Sequence, residues 1–254
     1  MTLLDPIDFG DNPYLVGPHA PIRKELDQPD LKVVGQVPND FSGIYLRNGP
    51  NQIHPPRGTY HWFDGDGMVH GAEFAEGRVS YRNKWINTKG LRQEQKIGQS
   101  LWPGLMDSPD RSLNEAWGSD RWLKDNSNTD LTIHAGRAIS TFYQCGEAYA
   151  IDPLSLETLG TLDLLSGGGR LMSAHCMTDE QTGDLLFFDY AAKPPYMTYG
   201  VFNKDVNLVH HTAIDLPGAR LPHTLAFTTN YSILMDLPMF WDPELLQKYV
   251  HKVS

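Results

Sequence analysis

The chain has 254 residues, enough to bury a sizeable core as one large domain or two small ones. Hydrophobic residues make up 40% of it and charged residues 20%, the balance of an ordinary globular protein. The formal net charge of −10, with no local Lys/Arg cluster, argues against nucleic acid and against broad attraction to anionic lipid.

The chain opens Met1-Thr-Leu-Leu-Asp-Pro, without the basic region and apolar stretch of a signal peptide. Its longest apolar runs fall far short of the ~20 residues a membrane span needs. Ile44-Tyr-Leu-Arg47 reads as a strand stopped by the Gly-Pro turn of Asn48-Gly-Pro-Asn51. Phe63-Asp-Gly-Asp-Gly67 looks like part of a calcium loop but lacks the downstream glutamate, so the two Asp-Gly pairs predict a tight turn with positive φ. Two hairpins follow, one turning at Glu76-Gly77 and one at Ala135-Gly136. Between them, residues 92–128 read as a long irregular excursion.

Further strands are expected at Ala148–Asp152, Leu185–Tyr190 and Ser232–Met235, and one short helix at Pro243–Tyr249 with Asp242 as its N-cap. Gly167-Gly-Gly-Arg170 lacks the Lys-Ser/Thr of a phosphate loop and reads as a surface loop. Short strands every ten residues or so, divided by turn chemistry and by no linker, predict one all-β unit over residues 1–254: a sandwich, a barrel or a propeller. Cys145 and Cys176 lack disulfide-framework and zinc-type spacing, and two reduced thiols suit a cytoplasmic protein.

Among ten histidines, two stand at the heads of extended apolar segments. His175 lies in Met172-Ser-Ala-His-Cys-Met177, and His223 in Leu221-Pro-His-Thr-Leu-Ala-Phe227. Imidazole is the commonest protein metal ligand, and a ring at a strand start can point toward an axis or pocket. Spacing alone leaves open an all-histidine site, a two-histidine site completed by Asp179, and plain hydrogen bonding to nearby carbonyls.

Four blocks of sequence, in order, resemble the carotenoid cleavage oxygenase family, which includes the lignostilbene dioxygenases. They are Val33 to Asn51, ending Gly43-Ile-Tyr-Leu-Arg-Asn-Gly-Pro-Asn51; Tyr60-His-Trp-Phe-Asp-Gly-Asp-Gly-Met-Val-His70; Asn128-Thr129 with His134-Ala-Gly-Arg137; and Ser173-Ala-His175 with Asp179 and Thr182-Gly-Asp184. The resemblance implies a seven-bladed β-propeller with iron(II) on its axis, held by four histidines. His175 would be the first of these and His223 the second, although the family usually follows the second with Asp-Phe and this chain has Thr224-Leu225. His61, His70 and His134 belong to shared motifs without being ligands.

The implied reaction is oxidative cleavage by O2 of one C=C bond in an apolar conjugated substrate, giving two carbonyl products. In the family, glutamates orient the ligand imidazoles. Here Gln144 stands nearest the first such position, with Glu147 three residues later. An amide oxygen still accepts a ring N–H but carries no charge. Stilbene-cleaving members carry a lysine beside that glutamate, where this chain has Phe142 and Tyr143, which leans toward apocarotenoid-like polyenes.

Four-stranded blades of ~40–45 residues need roughly 300 residues for seven. The chain is therefore expected to be the N-terminal half of the ring, truncated at its C-terminus and inactive by itself. Two other readings remain: a metal-free propeller that only binds, and an iron-dependent isomerohydrolase of the same family. Peripheral contact with a membrane, to reach substrate, is compatible with each.

Overall fold

A computed structural model describes residues 9–108, 111–114, 124–143, 146–162 and 172–240 of the protein. Three four-stranded antiparallel sheets follow one another along the chain. In the first, β2 (Gly43–Pro50), β3 (Gly67–Ala75) and β4 (Arg78–Trp85) form a meander, and β1 (Asp27–Gln28) pairs outside β4. The second is the meander of β5 (Asp130–His134), β6 (Arg137–Thr141), β7 (Tyr149–Ile151) and β8 (Thr158–Thr161). The third comprises β9 (Met177–Thr178), β10 (Leu185–Tyr190), β11 (Met197–Phe202) and β12 (Leu208–Ala213). A two-stranded sheet, β13 (Ala226–Phe227) with β14 (Ser232–Ile233), comes next. The leading strands β2, β5 and β9 lie side by side, so the sheets are successive propeller blades with these strands innermost. The sheets do not close into a ring: the described residues supply three blades and the start of another.

Local chemistry explains the hairpins. Glu76 and Gly77 (φ 52° and 73°) make the two-residue turn between β3 and β4, and Ala135 and Gly136 (φ 49° and 73°) repeat it between β5 and β6. Two successive positive-φ residues match the right-handed twist of the flanking strands.

Packing follows from the two-residue period of a strand. On β6, Ala138 joins Val69 and Tyr149 in a cluster between the first two blades, while its neighbour Ile139 joins Leu185 and Phe187 between the second and third. On β10, Leu186, Phe188 and Tyr190 turn the other way, toward Leu225 before β13. Strands inside a propeller are thus buried on both faces, which is why β10 reads as an apolar run with little alternation.

Three expectations need correction. β2 does not stop at the Gly-Pro pair: Gly49 and Pro50 continue it, pairing with Met68 and Gly67. Proline is tolerated there because it is the last residue of an innermost strand, whose other edge carries no ladder. The two Asp-Gly pairs do not make a positive-φ turn. Gly65 has φ −68°, and a Cβ there would stand 2.8 Å from both Pro50 and Tyr60; at Gly67 it would stand 2.5 Å from the Ser127 carbonyl. Close backbone approach demands these glycines.

The excursion of residues 92–128 also holds regular structure at its start. Helix α1 (Lys89–Ile97) is capped by Thr88, whose Oγ1 accepts from Leu91 N at 3.0 Å, and ends at Gly98 in the left-handed region (φ 81°). The expected helix at Pro243–Tyr249, the Gly167–Arg170 loop, Gln144 and Cys145 lie outside the described residues. Cys176 is free and buried.

A buried polar segment, residues 124–129, stitches these parts together. Lys124 is 7% exposed, and its ammonium contacts both the Asp66 and the Glu94 carboxylates, tying the segment to β3 and α1. Burial alone would lower the lysine pKa, but the two carboxylates outweigh it and raise it; burial raises that of Glu94. Asp125 accepts from Ser127 N at 3.0 Å and Glu147 N at 2.7 Å. Gly146 has to be glycine, since a Cβ would meet that carboxylate at 2.4 Å. Asn126 donates to the Asp64 carbonyl, and Asn128 to those of Phe63 (2.8 Å) and Gly65 (2.6 Å). Asn48 of β2 completes the seam by donating to the Ser127 carbonyl at 2.8 Å.

Replacing Lys124 by Met strands two buried carboxylates and should cost ~3–5 kcal/mol in chemical denaturation followed by tryptophan fluorescence; a loss near zero would contradict this account of the seam. Burial pushes the Asp125 carboxyl up to about 7, against the pull of its two N–H donors. A raised acid pKa stabilises the fold fully below the ordinary carboxylate range, and that contribution fades as pH rises toward about 7. Stability of Asp125→Asn relative to the parent should therefore shift in favour of the variant over that window, measured as paired denaturation curves across pH.

Candidate metal centre

His175 and His223 occupy matching places in consecutive blades: His175 lies two residues before β9, and His223 three residues before β13. Each is carried by an anchored segment. Ahead of His175, Met172 N bonds the Gly146 carbonyl and Ser173 N the Phe188 carbonyl, both at 2.9 Å. After it, the Cys176 carbonyl accepts from Thr132 Oγ1 at 2.8 Å. His175 itself has φ 60°, a conformation few non-glycine residues adopt and one that persists only when the surroundings impose it. Beyond His223, Leu225, which stands where the family usually has Phe, is 1% exposed and joins the core cluster of Phe188 and Tyr199.

Although 48 positions apart in sequence (223 − 175), the two rings meet, their centres 4.8 Å apart and their planes at 71°. Two imidazoles bound cis to one ion at about 2.1 Å have ring centres roughly 4.7 Å apart. The observed centre-to-centre distance is close to that spacing. Among the described residues no group of three or more His, Cys, Asp or Glu side chains could hold a metal.

His175 Nδ1 lies 2.9 Å from Asp130 Oδ2. That hydrogen bond, outweighing half-burial, raises the His175 pKa; burial, with His175 beside it, lowers that of His223. The other motif histidines are engaged elsewhere. His61 Nδ1 accepts from Phe63 N at 3.2 Å, capping the 3-10 turn Trp62–Asp64, and His70 Nδ1 is 2.7 Å from the Tyr81 hydroxyl. His134 is buried at the end of β5. Asp179 accepts from Gln181 N at 2.8 Å within a turn and does not join the pair. Glu147 is ion-paired to Lys89 and accepts from the Tyr149 hydroxyl at 3.0 Å, away from both rings.

His223 opens onto a cavity of about 300 Å³ whose walls include Trp62, Phe63, Tyr143, Pro50, Asn128 and Arg47. Phe63 packs edge-on against Tyr143 with ring centres 5.7 Å apart. Phe142 is fully buried, so of the two residues at the stilbene-lysine position only Tyr143 reaches the cavity. Trp62, Phe63 and Asp130 were missed as site residues in the sequence; an acid opening a strand immediately after Asn-Thr, and two aromatics before Asp-Gly, were the available signals.

The profile of the retinal pigment epithelial membrane protein family matches residues 19–254. The chain belongs to the carotenoid cleavage oxygenase family. This family member is 32% identical over 254 residues to the carotenoid 9,10(9',10')-cleavage dioxygenase 1 of Phaseolus vulgaris, covering 92% of this chain and 46% of the relative. Its fold matches the crystal structure of the Pseudomonas brassicacearum lignostilbene dioxygenase with a TM-score of 0.80 at 28% identity, over 95% of this chain and 50% of that one. It also matches a cobalt-substituted apocarotenoid oxygenase of Synechocystis with a TM-score of 0.69 at 26% identity, over 84% of this chain and 47% of that one. The chain thus spans about half the length of the relatives it matches. Among the described residues, no helix is long and apolar enough to cross a membrane.

Asn128 holds the backbone that presents Phe63 to the cavity. Asn128→Ala leaves two carbonyls without their donor and should cost ~1–3 kcal/mol of stability, read from thermal melts.

Proposed function

We propose that the protein carrying this chain is a non-haem iron(II) dioxygenase that cleaves one C=C bond of a carotenoid- or apocarotenoid-like or stilbene substrate into two carbonyl products. The meeting of the His175 and His223 rings, with His223 lining an aromatic cavity, is the observation that carries this reading. Neutral imidazoles are the donor type that suits iron(II), and the low pKa of His223 keeps its ring in that form. The relatives add support: one is named for carotenoid cleavage, one for lignostilbene cleavage, and one accepts cobalt.

In this reading His175 and His223 hold the ion, which supplies dioxygen activation. Trp62, Phe63 and Tyr143 line the cavity and supply aromatic surface against which a planar conjugated chain would pack. Tyr143 in place of a cation favours an extended polyene over a phenolic stilbene. Two imidazoles are half of the four-histidine set the resemblance implies, so the remaining donors come from outside the described residues, and these 254 residues by themselves would not turn over.

The test is incubation of the full-length protein that carries this chain with an apocarotenal and with a hydroxystilbene under 18O-labelled dioxygen, with and without added iron(II). Labelled carbonyl products that require iron(II), favour the polyene, and vanish in His175→Ala and His223→Ala are expected, while His210→Ala, on the exposed outer strand β12, retains activity. Products free of label, or formed equally after iron removal by a chelator, would overturn the dioxygenase reading in favour of ester cleavage or of a metal-free protein.

A further inference from the structure

We propose that Asp130 is the positioning residue of the metal centre: its carboxylate fixes His175 as the Nδ1–H tautomer and so directs Nε2, with its lone pair, at the ion. This rests on the iron reading above, but concerns a residue that the family blocks do not single out.

The geometry is specific. Asp130 Oδ2 stands 2.9 Å from His175 Nδ1, while Asp130 Oδ1 accepts from Leu131 N at 2.8 Å. The second bond fixes the carboxylate rotamer, leaving the other oxygen for the imidazole. A carboxylate only accepts, so Nδ1 has to carry the proton and Nε2 is left as the free donor atom. A charged acceptor on the far nitrogen also raises the basicity of the ligating one.

The two residues sit on different blades, Asp130 as the first residue of β5 and His175 just before β9, and the blades are pinned together beside them. Thr132 Oγ1 donates to the Cys176 carbonyl at 2.8 Å, and Thr178 Oγ1 to the Ile133 carbonyl at 2.7 Å. Neither partner can drift without breaking these bonds. His175 holds this contact from a positive-φ backbone (φ 60°), a conformation that its anchored surroundings maintain.

This assigns the orienting carboxylate to a residue other than those near Gln144. Glu147, the nearest glutamate to that position, is committed to Lys89 and Tyr149. The charge that tunes the pair therefore enters from the strand on the His175 side.

The test is long-range 1H–15N correlation on the metal-free protein labelled with 15N-histidine, in alkaline buffer, followed by cobalt(II) titration monitored by visible absorption. Wild type should show His175 as Nδ1–H. Asp130→Asn should keep that tautomer through its amide oxygen, whereas Asp130→Leu should shift it toward Nε2–H. Cobalt(II) affinity should fall roughly ten- to hundredfold in Asp130→Leu and less in Asp130→Asn. Unchanged His70 resonances in each variant report an intact fold.

An Nε2–H tautomer in wild type, or a tautomer and affinity indifferent to Asp130→Leu, would overturn the proposal. An Asp130-dependent Nδ1–H tautomer in a protein that takes up no cobalt(II) would uphold the positioning role and overturn the iron reading alone.

Discussion

The molecule depends on a polar seam set beside the apolar clusters that wedge its blades together. Residues 124–129 run between the first and second blades almost entirely out of water, and most of their side chains meet a backbone, hydroxyl or ionic partner on the elements they touch. Unpaired, such groups would each cost several kcal/mol; paired, they specify one arrangement of the blades and no other. Asn128 is the clearest case, because the carbonyls it satisfies belong to the loop that carries Phe63 into the cavity. Asp130 continues directly from the seam. The same run of seven residues therefore sets the blade interface, one wall of the cavity and the orientation of a histidine.

Much of the fold was legible in the sequence because its signals are local. Glu76-Gly77 and Ala135-Gly136 announce their hairpins through a glycine at the second turn position, and β10 announces itself as an apolar run. The misreadings share one physical cause: the deciding neighbour lay far away in sequence. Gly65 and Gly67 are glycines because Pro50, Tyr60 and Ser127 crowd them, and no local turn chemistry reveals that. Pro50 looked like a strand terminator only because nothing local marks β2 as the innermost strand. Helix α1 was overlooked although Thr88 and Gly98 bracket it correctly, its nine residues being too short for periodicity to stand out.

At the site, the two histidines could be singled out as strand-head residues but not joined, since spacing says nothing about convergence across blades. The ring-to-ring distance supplies what spacing lacked. Corresponding placements just before the leading strands of successive blades face one another, so residues far apart in sequence can meet there. His175 and His223 are two such placements, and Asp130 enters from the preceding blade as support.

The left-handed backbone at His175 has an evolutionary corollary. Glycine would occupy that site with less torsional penalty, and asparagine nearly as easily, so stability alone pulls the codon away from histidine. A lineage that abandoned the chemistry would be expected to relax at this site early, well before the surrounding core changed. The identity of this one residue across descendants is thus a sensitive record of whether selection still acts on the ring.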